Sequence, residues 1–165
     1  MKFVVFLDVD GVLNTKTTVQ KTPGGYRGID DARVKILAEV LKGYKNWGLV
    51  LSSDWKEMAP EEEDYQYLVS KLEKYGLQLT GKTKDEWQYR GAGIKKYLEE
   101  HPEIEEYVIL DDNLFDFKEY PELWERFLQT RGIERAQTVS KTPVVETMLF
   151  LDDIKKVSKN VIAEM

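Results

Sequence analysis

Short blocks of uninterrupted apolar residues recur along the chain, separated by longer stretches in which apolar positions fall three and four apart. The first block, Lys2 to Leu7, reads "KFVVFL" with no polar alternation, as expected for a central strand covered on both faces. "GLVLSS", "LQLT", "EYVILDDN" and "RFLQT" follow as further strands, the last placed at an edge. Between them, helical spacing begins near Asp30 or Asp31, a candidate N-cap, and sets Val34, Leu37, Ala38, Leu41 and Tyr44 on one face. A second helix follows Pro60, acidic at its start, with lysines later and Gly76 at its end, in accord with the helix dipole. A third runs from about Gly91 to Glu100 and stops before Pro102. The segment from Thr142 onward reads as a C-terminal helix with Pro143 in its first turn. Strands alternating with helices predict an α/β fold with a mainly parallel sheet.

Between the first strand and first helix, "NTKTTVQKTPGGYRG", residues 14–28, is polar and turn-rich, a loop or small hairpin about Gly24 and Gly25. No repeat, low-complexity tract or linker interrupts the pattern, so residues 1–165 are expected to form one domain, long enough to bury a core without staples. The N-terminus lacks a signal-peptide pattern, and no apolar run approaches the ~20 residues of a membrane span. A cytoplasmic protein with no membrane partner is expected.

Composition narrows the chemistry. The chain has no cysteine, which removes disulfides, thiolate nucleophiles and Cys-ligated zinc. Its one histidine, His101, lies beside Pro102 in a polar stretch and reads as a surface residue, so a Ser-His-Asp triad is hard to assemble. Metal chemistry must therefore be oxygen-based. A net charge of −6 and a pI near 5.0 argue against long-range electrostatic coating of nucleic acid, although Lys16, Lys21 and Arg27 make the loop after the first strand locally basic.

Polar residues gather where apolar blocks end: Asp8 and Asp10, Ser52 and Ser53, Asp111 and Asp112. Each has a bland explanation, because aspartates and serines often cap helices or make turns. Their joint recurrence at strand ends is more informative, since the carboxyl ends of parallel strands share one edge and ligands bind just outside it. Crowded carboxylates raise one another's pKa unless a cation neutralises them. Several oxygen donors without His or Cys suit a hard ion, foremost Mg²⁺.

"FLDVDGVLN" resembles the first motif, DxDG[VT], of the haloacid dehalogenase (HAD) superfamily of phosphohydrolases. "LVLSS" resembles its second motif, "RGAGIKKYL" its third if Arg90 supplies the cation, and "ILDDNLFD" its fourth, with Asp112 and Asp116 at the expected spacing. The resemblance spans roughly Lys2 to Thr130. "SSDW" and "RGAGIKKYLEEHPEIEEYVILDD" further resemble the small, nearly capless HAD domain of Swiss Army Knife RNA repair proteins.

That resemblance implies a three-layer, Rossmann-like sandwich with a minimal cap, and a Mg²⁺-dependent phosphomonoesterase working through an aspartyl-phosphate. It implies Asp8 as nucleophile and Asp10 as acid and base. The metal would be held by Asp8, the Asp10 backbone carbonyl and Asp112, with Asp111 as an alternative ligand and Asp116 behind them. Ser53 or Ser52 would hold a phosphoryl oxygen, Ser53 being preferred for its neighbours Asp54 and Trp55, and Arg90 would neutralise the transferring group. Gly11, Lys16 and Arg27 are expected to contribute to substrate binding, the last two from a flap over residues 14–28. Lys82, Lys84 and Lys95 are read as solvated, and Trp55, Trp87, Tyr89 and Tyr26 as packing residues that could instead stack on a base. The expected substrate is phosphorylated, with a polynucleotide end favoured over a nucleotide or other small metabolite. A catalytically idle binding module is the reading from outside the enzyme class.

Overall fold

The computed structural model describes residues 3–85 and 88–133, and the backbone of 137–138. A six-stranded sheet forms from β1 (Phe3–Leu7), β2 (Trp47–Leu51), β3 (Gly81–Lys82), β4 (Glu106–Asp111), β5 (Phe127–Gln129) and β6 (Gln137–Thr138), in the order β3-β2-β1-β4-β5-β6. The first five are parallel and β6 joins antiparallel. The helices are α1 (Asp31–Leu41), α2 (Glu63–Glu73), α3 (Arg90–Glu100) and a short α4 (Pro121–Trp124).

Side-chain alternation along the strands divides the interior in two. On one face Phe3, Val5, Leu7, Leu49, Leu51 and Leu110 pack with Val34, Leu37 and Leu41 of α1 and Leu68 and Leu72 of α2. On the other, Val4, Phe6, Val50 and Ile109 meet Ile94 and Tyr97 of α3, Phe117 and Leu123. This is the expected three-layer α/β sandwich, and it explains why the central strands read as unbroken apolar runs: both faces are covered.

Three expectations about elements are corrected. Leu77–Thr80 is not a strand: the Thr80 hydroxyl and amide both bond the backbone of Leu49, and pairing proper is confined to Gly81 and Lys82. β5 is not an edge, because β6 pairs with it. Asp30 precedes α1 but its carboxylate makes no cap; it accepts from the Thr18 hydroxyl at 2.9 Å and Arg33 Nε at 3.0 Å, tying the preceding loop to the helix. That loop contains a tight hairpin closed by a Lys21–Arg27 bridge, and Asp64 of α2 pins it by accepting from Thr22 Oγ1 and the Gly24 amide, both at 2.8 Å. The anticipated C-terminal helix and Trp87 lie outside the described residues. Among the described residues no helix is long and apolar enough to cross a membrane.

Candidate active site

The register of the sheet assembles the site. Leu7 is level with Leu51 on one side and Leu110 on the other, so the next residues, Asp8, Ser52 and Asp111, form a row across three strands. Backbone bonds continue that row: Asp8 N donates to Leu110 O at 3.0 Å and Ser52 N to Leu7 O at 2.8 Å. Leu7, Leu51 and Leu110 face the α1 and α2 layer, so pleating turns the three row residues toward the layer containing α3.

Arg90, the first residue of α3, meets them there. Its Nη1 lies 2.7 Å from Asp111 Oδ2 and 3.4 Å from Asp8 Oδ1, and its Nη2 is 3.2 Å from the exposed carboxylate of Asp54. The guanidinium stacks 4.0 Å over the Phe115 ring and is 3 % exposed. Asp116 holds the helix start in place, its two oxygens accepting from the Gly91 amide at 2.5 Å and the Ala92 amide at 3.1 Å. Asp116, expected behind the metal ligands, meets the need of two donors at the N-terminus of the helix that carries Arg90 for an acceptor.

Three carboxylates converge: one oxygen each from Asp8, Asp111 and Asp112 lies within 4.8 Å of the others. Asp8 and Asp111 are buried and Asp112 is exposed. Burial, reinforced by Asp111 and opposed by Arg90, raises the Asp8 pKa well above the usual carboxylate range. Burial, opposed by Arg90, raises Asp111 from 3.8 to about 7. Burial lowers the Arg90 pKa, but Asp111 and Asp8 more than reverse this, so the guanidinium stays charged. With Arg90 the ionised trio carries −2, the charge a divalent cation would cancel, and the all-oxygen donor set suits a hard ion. Gly11 makes room for this cluster. It has φ +82°, and a Cβ there would lie 2.3 Å from Asp112 Oδ2.

Asp10 stands apart from the trio, exposed, with both oxygens engaged: Asn14 Nδ2 donates to one at 2.9 Å and Trp55 Nε1 to the other at 3.1 Å. Neither donor was singled out for this from the sequence. Asn14 is fully buried and also bonds the Gly11 amide and Gly28 carbonyl; its place in "DGVLN", four residues after Asp10, was the available signal. Trp55 is neither simple packing nor an exposed stacking platform.

The two serines, of which Ser53 is the expected phosphate ligand, are placed differently: Ser52 stands in the row with Asp8 and Asp111, and Ser53 follows it. Ser53 Oγ accepts from the Trp55 amide at 3.3 Å, capping a single 3-10 turn (Asp54–Glu57). Ser52 Oγ is buried without a hydrogen-bond partner, the condition of a hydroxyl awaiting a ligand oxygen. Lys56, also unanticipated, forms a buried ion pair with Asp85 at 2.8 Å and donates to Ser53 O at 3.3 Å, fastening this turn to the segment before α3. Lys16 and Arg27 are exposed and line a cleft of about 570 Å³ with Asp10, Gly11 and Asp112. Tyr26, 73 % exposed, lines a second cleft with Asp10, Arg27, Trp55 and Met58. Lys82 donates to Lys56 O and Lys95 pairs with Glu122; neither joins the row. His101 stacks on Tyr97, 4.1 Å between ring centroids, and its Nδ1 lies 3.1 Å from Glu103 Oε1.

A parallel sheet presenting Asp8, Ser52 and Asp111 in register, with Arg90 entering from a helix start and Asp10 two residues beyond the first, defines a HAD-type α/β domain. Over residues 4–144 the sequence matches the model of the HAD domain in Swiss Army Knife RNA repair proteins, and the chain belongs to that family. No curated protein matches it. Among solved structures it is similar to a protein from Legionella pneumophila described as a HAD superfamily (subfamily III A) hydrolase, at 15 % identity and TM-score 0.43, covering 99 % of this chain and 88 % of that one. A protein from Vibrio cholerae described as a 3-deoxy-D-manno-octulosonate 8-phosphate phosphatase is 17 % identical, with TM-score 0.39 and coverage of 98 % and 86 %.

Proposed function

We propose that this protein is a Mg²⁺-dependent cytoplasmic phosphomonoesterase in which Asp8 is the nucleophile, acting on a phosphorylated substrate of which a nucleic acid end is the favoured kind. The observation that carries this reading is the seating of Asp8: a buried carboxylate 3.4 Å from Arg90, level with the unpartnered Ser52 hydroxyl and beside Asp111 and Asp112. An unused cluster of this kind would be an electrostatic burden, which argues against an idle module. The RNA repair proteins for which the family is named support the preference for nucleic acid ends.

Asp8, Asp111 and Asp112 would hold Mg²⁺, which when bound neutralises them and polarises a phosphoryl oxygen. An Asp8 oxygen attacks phosphorus, and the bond to the leaving oxygen breaks as that oxygen takes a proton from Asp10, giving an aspartyl-phosphate. Asn14 and Trp55 fix the Asp10 carboxyl for this transfer. Arg90 offsets charge on the transferring group and Ser52 donates to one of its oxygens. The Asp10 carboxylate then deprotonates a water, whose oxygen attacks phosphorus and releases inorganic phosphate and Asp8.

Hydrolysis of p-nitrophenyl phosphate by wild type and Asp8→Asn, each with Mg²⁺ or EDTA, tests the reading. Wild-type turnover with Mg²⁺ should fall at least about a thousandfold in the variant. Equal rates in the two proteins, or none in either, would falsify it.

A further inference from the structure

The 570 Å³ cleft contains charge that dephosphorylation at Asp8 does not require. Besides Asp10, Gly11 and Asp112 its lining includes Lys16, Arg27, Arg33 and Arg131, four cations against two carboxylates in a chain of net charge −6. Asp8, Ser52 and Arg90, which would hold the scissile phosphate, do not line it. Arg33 is engaged by Asp30 at 3.0 Å, while Lys16, Arg27 and Arg131 are exposed and pair with no described carboxylate. Thr15, Thr17 and Gln129 add uncharged donors. Cations gathered from the flap, α1 and the segment after β5 repel one another, so their grouping beside Asp10 calls for an anion.

From this arrangement we propose a second anion subsite, formed by Lys16, Arg27, Arg33 and Arg131, that selects phosphomonoesters bearing a further phosphate. The inference rests on the phosphatase reading for the identity of the first phosphate. The second cleft, of about 560 Å³, shares Asp10 and Arg27 with the first and adds Tyr26, Trp55 and Met58 beside the carboxylates of Asp54 and Asp64, which disfavour a phosphate there. A substrate reaching Asp10 can thus lay its organic body on the side of the exposed Tyr26 and its second phosphate on the basic side. The shared chemistry is a bisphosphate, whether a small molecule or the end of a polynucleotide with its adjoining phosphodiester.

Binding to Asp8→Asn, measured calorimetrically with Mg²⁺, tests the subsite without turnover. The ligands are a nucleoside 3′,5′-bisphosphate against its two monophosphates, a sugar bisphosphate against its monophosphates, and a terminally phosphorylated dinucleotide against the mononucleotide that carries the same phosphate without the phosphodiester. At low salt, at least one ligand with two phosphates should bind about tenfold more tightly than its counterpart with one, since each charge-assisted contact contributes on that scale. The pair that shows the preference names the source. The advantage should shrink as salt rises and drop at least about fivefold in Lys16→Glu/Arg131→Glu, with Arg27→Gln giving a smaller drop. Equal binding within every pair, or a preference untouched by both variants, overturns the proposal. Absence of turnover in wild type would instead strike the phosphatase reading, leaving the binding result to stand by itself.

Discussion

Replacing Asp111 by asparagine should stabilise the metal-free protein at neutral pH, although it removes a 2.7 Å bond to Arg90. Asp111 is 1 % exposed, and its pKa rises from 3.8 to about 7 on folding. A carboxylic acid with a raised folded pKa binds more protons folded than unfolded, so stability declines as pH climbs from about 3.8 toward about 7. Three units correspond to about 4 kcal/mol of ionisation penalty at pH 7.5. That penalty is already net of the attraction and hydrogen bond of Arg90, which oppose the rise. Arg90 keeps Asp8 and Asp54 as partners, so it is not stranded. The expected gain is therefore a few kcal/mol, on the order of 10 °C in Tm for a chain of this size. Urea and thermal unfolding in EDTA at pH 7.5 and pH 4 would measure it. The gain should vanish at pH 4, where the native aspartate is already protonated, and Mg²⁺ should stabilise wild type more than the variant. A variant less stable than wild type at pH 7.5 in EDTA would refute the charge accounting.

Three further substitutions probe other parts of the site. Gly11→Ala should weaken Mg²⁺ binding at least about tenfold in a titration followed by thermal shift, because the new Cβ collides with Asp112 and the backbone sits at positive φ; unchanged affinity would remove Asp112 from the metal site. Trp55→Phe deletes the donor to Asp10 and should lower kcat about tenfold on alkyl phosphates, with a much smaller effect on p-nitrophenyl phosphate, whose leaving group needs little protonation; an equal effect on both would deny Asp10 its acid role. Lys56→Met leaves Asp85 buried and unpaired and should lower unfolding free energy by about 3–5 kcal/mol, much of it recovered in Lys56→Met/Asp85→Leu; a single variant as stable as wild type would show that the pair does not tie the two segments together.

Much of the frame was legible in one dimension. Strands buried on both faces leave unbroken apolar runs, and the candidate site aspartates and serines announce themselves because they interrupt those runs at the same end. The flap hairpin was marked by Gly24 and Gly25. The failures were local competitions: at Leu77–Thr80 a threonine hydroxyl took a backbone bond that the apolar pattern assigned to a ladder, and at Asp30 an apparent cap served a distant hydroxyl instead.

What the sequence determined alone was the inventory: five apolar blocks, the carboxylates at their ends, and a hard, thiol-free donor set that favours a divalent ion. Only the tertiary structure decided which member of each doublet faces inward. The common row through Leu7, Leu51 and Leu110 sets Ser52 and Asp111, rather than Ser53 and Asp112, level with Asp8, because pleating turns successive residues to opposite faces and only strand register says which parity meets α3. It likewise gave Trp55 and Asn14 to Asp10, and Asp116 to the helix carrying Arg90. The Trp55 and Asp116 contacts join residues 45 and 25 apart in the chain, where no periodicity reaches, and depend on how the layers close over the sheet edge.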